Sequence, residues 1–201
     1  MRIAILVEGP TEQAFMPTLR SFLEQRLNKR MPRLCPDVYD GRIPKGDELR
    51  RIVRNHLSGK NPSNAVIALT DVYTGSDDFQ SAADAKSKMR AWVGNEERFY
   101  PHAAQHDFEA WLLPYWSTIK SLSGANRAAP AGQPENVNHN KPPAYHLKEV
   151  FRIGSRGRKY VKPRDAGRVL RGNDLAVAAA ACPNLKELLN TILKLCGGQQ
   201  I

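Results

Sequence analysis

Apolar and polar positions along this chain switch between two rhythms. Ile3-Ala4-Ile5-Leu6-Val7 is an unbroken apolar run rich in branched side chains, which predicts a buried strand. Gly9 lets the backbone turn sharply and Pro10 suits the first helical position. Phe15, Leu19, Phe22, Leu23 and Leu27 then recur at helical spacing, so the chain reads strand, tight turn, helix. Leu34 to Gly41 predicts a short strand. Leu49, Ile52, Val53, His56 and Leu57 mark a second amphipathic helix, with Arg50, Arg51 and Arg54 on its wet side. Ala65 to Thr70 is another buried-strand run, introduced by Asn61-Pro62-Ser63-Asn64 and closed by Asp71. Ala85, Met89, Trp92 and Val93 give a third helix. Tyr100, His102, Ala104 and His106 share one face of a further strand, after which Asp107 is placed to cap a helix beginning Phe108-Glu109-Ala110-Trp111.

Strands that are apolar throughout, alternating with helices, predict an α/β fold whose sheet is mostly parallel and covered on both faces. The alternation stops at Ser121. From there to Tyr145 the chain has few large apolar residues and reads as a long surface loop. Arg152 to Arg171 then holds eight Lys or Arg residues and a single acid, Asp165. A last helix carries Leu185, Leu188, Leu189, Ile192, Leu193 and Leu195. The expected organisation is an α/β domain over residues 1–120, a loop over 121–145, and a basic helical segment over 146–201 packed on the same domain.

Composition sharpens the picture. In 201 residues there are 30 Lys plus Arg against 20 Asp plus Glu, a net charge of +10 that favours a phosphate-rich partner. Cys35, Cys182 and Cys196 form neither a paired motif nor a Cys/His array, which argues against a disulfide framework or a zinc site. No segment approaches the ~20 apolar residues that span a bilayer, and the first apolar run is too short for a signal peptide. A cytoplasmic location is expected.

Against this positive balance, acids gather at two strand ends. Glu8 and Glu12 flank the first turn; Asp71 and the Asp77-Asp78 pair follow the third strand. Ligands bind at the carboxyl ends of strands in an open α/β sheet. Hard carboxylate oxygens converging from separate elements suit Mg²⁺ or Mn²⁺, and a divalent metal suits phosphodiester chemistry. The purely structural account has Glu12 answering the helix dipole, Asp71 starting a turn and Asp77-Asp78 solubilising a loop. His106 and Glu109 stand at the next strand end as further candidates, although Glu109 also suits the first turn of a helix.

Val7-Glu8-Gly9-Pro10-Thr11-Glu12 behind a strand, followed by Thr70-Asp71-Val72-Tyr73, resembles the Toprim fold of topoisomerases, primases, OLD-family nucleases and ribosomal-RNA maturases. Over most of its length the chain is more similar to a bacterial Toprim-like family encoded beside ABC-type ATPases and associated with phage defence. The segments that carry this likeness are Asp77-Asp78-Phe79, His106 to Leu113, and Cys182-Pro183-Asn184. The resemblance implies a Toprim-like sheet with a C-terminal basic helical appendage, and a metal-dependent nuclease using Mg²⁺ or Mn²⁺. It implies that Glu8, as metal ligand or general acid/base, acts with Glu12 and Asp71 as the catalytic and metal-binding acids, and that Lys162 faces the developing phosphate charge. An ABC-type ATPase partner and a role as effector in a defence system come with it. One departure stands out: the usual Asp-x-Asp is Asp71-Val72-Tyr73, so Asp77 or Asp78 would have to supply the second carboxylate. The alternative is a catalytically inactive Toprim module that binds nucleic acid or docks to the ATPase. Arg156, Arg158, Lys159 and Arg164 are the expected contacts to DNA or RNA phosphates.

Overall fold

The computed structural model describes residues 1–28, 30–39, 41–72, 78–137, 141–155 and 157–201. Four strands, β1 (Arg2–Val7), β2 (Arg33–Val38), β3 (Ala65–Asp71) and β4 (Phe99–Ala104), form a parallel sheet in the order β2-β1-β3-β4. Pro36 pairs with Ile5 on β2, an edge strand, where a missing N–H is tolerated. Side chains alternate across the strands. Ile3, Ile5 and Val7 enter one apolar core; Ala4 and Leu6 enter another. The second core is closed by α2 (Gly46–Ser58) and α3 (Ala82–Val93), through Leu49, Val53, Met89 and Val93.

The first core is the larger. It takes Phe15, Leu19, Phe22 and Leu23 from α1 (Pro10–Glu24) and residues from each α-helix beyond β4 among the described residues. These are α4 (Trp116–Ser123), α5 (Pro143–Ile153), α6 (Lys162–Leu170), α7 (Leu175–Ala181) and α8 (Pro183–Leu195). Leu147, Val169, Leu175 and Leu189 are thus buried in the same cluster as Ile3 and Phe15.

Three local expectations are corrected. β4 ends at Ala104, so His106 lies beyond it, with a positive φ of 70°. Phe108–Tyr115 is a 3₁₀ helix, not an α-helix, and α4 follows it. Asp107 does not cap it through its side chain: Oδ2 accepts a 3.1 Å hydrogen bond from the Ala144 N–H at the start of α5. The segment over 121–145 is also more than a surface connection. Glu135 is buried, accepting from Trp111 Nε1 at 2.8 Å and from the backbone N–H groups of Asn184 and Leu185 at the start of α8. A carboxylate there satisfies orphan donors of the helix and complements its dipole.

Candidate functional site

In the order β2-β1-β3-β4, connections leave β1 and β3 toward opposite sides, so a crevice opens between the carboxyl ends of these two strands. Glu8 directly follows β1 and Asp71 is the last residue of β3. Val7 is in register with Leu69, which brings Glu8 beside Thr70, whose hydroxyl donates to Glu8 Oε1. The turn at Gly9 is followed at once by α1, and its first turn carries Glu12, buried. A Cβ on Gly9 would stand 3.6 Å from Glu12 Oε2, so this carboxylate lies close over the turn. β4 contributes the next edge: Asp107, three residues past its end, and Glu109 on the 3₁₀ helix are both buried. Lys162, the first residue of α6, donates to Glu109 Oε2 at 3.1 Å, while the Tyr160 hydroxyl lies 3.5 Å from Oε1 of the same carboxylate.

These groups feel one another. Burial pushes the Glu8 carboxyl up to about 7; Glu12 adds to the rise, while Thr70 and Arg42 oppose it. Glu12 is pushed to about 7 by burial and by Glu109, with Lys162 opposing. Asp107 reaches about 7 through burial and Glu109. Asp71 is raised well above the carboxylate range by burial, then by Glu12, Glu8, Asp107 and Glu109. Burial alone would lower Lys162, but Glu109, Asp107 and Asp71 outweigh it and hold its ammonium charged. Five carboxylates therefore face Lys162 and Arg42, and Arg42 also pairs with Asp78 at 3.1 Å. Asp107 Oδ1 is buried with no hydrogen-bond partner among the described residues.

The other expected residues are placed differently. Asp78 pairs with Arg42 and Lys45, so its carboxylate is already engaged by two cations. Asp77, Tyr73 and Arg156 lie outside the described residues. His106 is mostly buried, and burial lowers its basicity. The basic run is not a uniform positive face. Arg158, Arg164 and Arg168 converge on fully buried Asp165 at 2.8, 3.0 and 3.7 Å, and Asp165 Oδ2 accepts from the Val161 N–H at 2.8 Å. Lys159 is exposed. Sequence reasoning treated Asp107 only as a helix cap. Its signal was the one that exposed Glu8 and Asp71, an acid just past a parallel strand.

Among the described residues no three His, Cys, Asp or Glu side chains already converge on a metal position. The chemistry of the donor set nonetheless fits a hard divalent cation: acids only, mutually repelling, one oxygen without a donor. A family model described as "Domain of unknown function (DUF4276)" matches residues 7–193. The chain belongs to the DUF4276 family. Among solved structures, this DUF4276 chain is similar to the C-terminal region of the Burkholderia pseudomallei OLD protein, with 15% identity and a TM-score of 0.55. That match covers 97% of this chain and 98% of the other. The C-terminal region of the Xanthomonas campestris pv. campestris OLD protein matches at 14% identity and a TM-score of 0.44, covering 96% of each chain. No curated protein matches. The fold is the Toprim-like fold of the OLD C-terminal region. No helix among the described residues is long and apolar enough to cross a membrane.

Proposed function

We propose that this protein is a divalent-metal-dependent nuclease that hydrolyses phosphodiester bonds in DNA or RNA. The observation that carries the reading is the acid corner: Glu8, Glu12, Asp71, Asp107 and Glu109 gathered at the switch point of the sheet, with Lys162 the cation bonded into it. Glu8, Glu12 and Asp71 would hold Mg²⁺ or Mn²⁺, with Asp107 the acid best placed to add a fourth carboxylate. Once bound, the metal supplies Lewis acidity at the phosphate and a more acidic water. Thr70 fixes the rotamer of Glu8. Glu109, with Tyr160 behind it, holds the Lys162 ammonium at the rim, where a point charge can meet charge developing on the phosphate. Binding of the metal would drive protons off the raised carboxyls, so affinity should increase with pH.

The resemblance to ATPase-associated defence proteins supports an effector role that depends on an ABC-type ATPase partner. The deciding experiment is a cleavage assay with Mg²⁺ or Mn²⁺, with and without that ATPase, on the wild type and Glu8→Gln. Cleavage by the wild type alone supports the proposal. No cleavage under any condition, together with no metal binding by calorimetry, overturns it. The second reading, an inactive binding module, draws on the absence of a preformed ligand triad among the described residues and on Tyr73 standing where the second motif expects an acid. It predicts nucleic-acid affinity without cleavage and no phenotype for Glu8→Gln.

A further inference from the structure

α1 and α6 pack together, a Cβ built on Gly167 standing 3.8 Å from that of Ala14, and a cleft of about 860 Å³ runs along the outside of their seam. Its near end lies at the first turns of α1 and α6, the helices that carry Glu12 and Lys162 at their starts, while Glu12 itself is on another face of α1 and the cleft lining holds none of the five acids. From Ala14 to Gln25 it follows α1 for roughly 16 Å, at about 1.5 Å per helical residue. The two walls differ. The α1 wall is uncharged, with Ala14, Ser21 and Gln25, whereas the opposite wall carries Arg164, Arg168 and Arg171. Arg164 and Arg168 are half-exposed and anchored from below by Asp165, so their guanidinium groups are held in place. Arg171 is exposed and makes no ion pair among the described residues. The acid of this lining, Asp174, is paired with Arg26 at 3.1 Å.

Resting on the nuclease reading, we infer that the α1–α6 cleft is the track along which the sugar-phosphate backbone of the nucleic-acid substrate reaches the acid corner. Oriented guanidinium groups are suited to successive phosphates. The aromatic residue of the lining, Phe22, is buried beneath Arg26, whose guanidinium lies 4.0 Å from the ring centroid, so it offers no platform for a base. The cleft therefore grips backbone, and binding is salt-dependent and indifferent to sequence.

The test measures fluorescence anisotropy of labelled duplex DNA, single-stranded DNA and RNA of equal length, with Glu8→Gln as the parent to prevent cleavage. Ser21→Glu with Arg171→Glu places two negative charges in the cleft and leaves the Asp165 ion pairs intact. Arg54→Glu, on exposed α2 across the sheet, is the control. Circular dichroism checks that each variant folds. The expected result is binding of at least one polymer with a log–log salt slope of roughly −2.7, from three contacts at about −0.9 each. The cleft pair should weaken binding about tenfold or more and flatten the slope by about one unit, with Arg54→Glu unchanged. If the cleft pair binds like the parent, or a mononucleotide competes as well as the polymer, the track is wrong while wild-type cleavage leaves the nuclease reading standing. If the parent binds none of the polymers the track is wrong, and the nuclease reading falls with it only if the wild type also cleaves nothing with or without the ATPase and binds no metal.

Discussion

Asp165 and the acid corner both bury carboxylates within one fold, and their surroundings could hardly differ more. Asp165 is fully buried yet receives three arginines and a backbone N–H. Burial alone would raise its carboxyl; Arg164, Val161 and Arg158 more than reverse this and hold it below the usual range. At the corner, Glu8, Glu12, Asp71 and Asp107 are all raised, because burial and like charge outweigh the nearby cations. A buried charge stabilises a fold only when paired and hydrogen-bonded, and is otherwise costly. Asp165 is therefore part of the scaffold. The corner keeps buried like charges that the fold does not fully pair, which is the arrangement the proposed metal site would use.

The largest expected effect breaks the scaffold side of this comparison. Asp165→Ala removes the acceptor shared by Arg158, Arg164, Arg168 and the Val161 N–H, and because the arginines left behind are partly exposed and can be solvated, the loss is about 3 kcal/mol, below the upper end for a buried pair. Urea denaturation should show that loss. Glu8→Gln in the metal-free protein should be neutral or stabilising, since it removes a charge that Thr70 and Arg42 offset only in part against burial and Glu12. If both substitutions destabilise equally, the two regions are electrostatically alike and the comparison fails.

Next comes Lys162→Ala, which leaves the acids and Arg42 in place and removes the ammonium bonded to Glu109. Loss of one preorganised electrostatic contact lowers turnover roughly 10²- to 10³-fold, while affinity for nucleic acid changes little. Single-turnover cleavage measured beside equilibrium binding separates the two effects. Normal cleavage by this variant would reduce Lys162 to a counter-ion for Glu109.

The two regions also differed in how visible they were in the sequence. Glu8 and Asp71 were legible because β1 and β3 are buried on both faces, so each strand is an unbroken apolar run and an acid at its end stands out. Asp107 was obscured by a local explanation, helix capping, that the fold does not use; its partner, Ala144, is 37 residues away. The Asp165 cluster left no periodic trace, since its arginines come from the segment before α6 and from α6 itself, in a stretch that reads as charge alone. Glu135 was hidden in the same way, because its donors lie on Trp111 and at the start of α8. The 3₁₀ form of Phe108–Tyr115 leaves no trace in the sequence, because a run that is apolar apart from Glu109 carries no period to separate it from an α-helix.

A smaller effect follows from pH and metal together. Glu8, Glu12 and Asp107 titrate near 7 when folded, above their ordinary values of 4.5, 4.5 and 3.8. Groups raised in this way favour the folded state at low pH, and that contribution disappears as pH climbs through about 7. Asp165 works in the opposite sense, stabilising above its ordinary range and losing that contribution only in acid. The metal-free protein should therefore be less stable at about pH 8 than at about pH 5. Mn²⁺ at about 100 times its Kd should restore roughly 2.7 kcal/mol at the higher pH and little at the lower. Thermal melts with and without metal at both pH values test this. An unchanged melting temperature at high pH with saturating Mn²⁺ would leave the corner without its proposed cation.

The smallest effect probes the support behind a single ligand. Thr70 donates its hydroxyl to Glu8, and that bond favours the ionised carboxylate. Thr70→Val keeps the branched shape on β3 but removes the donor, so Glu8 should become harder to ionise and less firmly oriented. Partners behind a metal ligand are typically worth 10- to 100-fold in affinity. Because Glu8 is one acid among several here, the lower end, about tenfold, is expected for Mn²⁺. The deficit should shrink as pH rises, because Glu8 ionises fully at high pH with or without Thr70. Calorimetric Mn²⁺ titrations across that range give the answer. A loss that stays constant with pH would mean Thr70 acts by packing alone, and identical affinity would detach Glu8 from the metal.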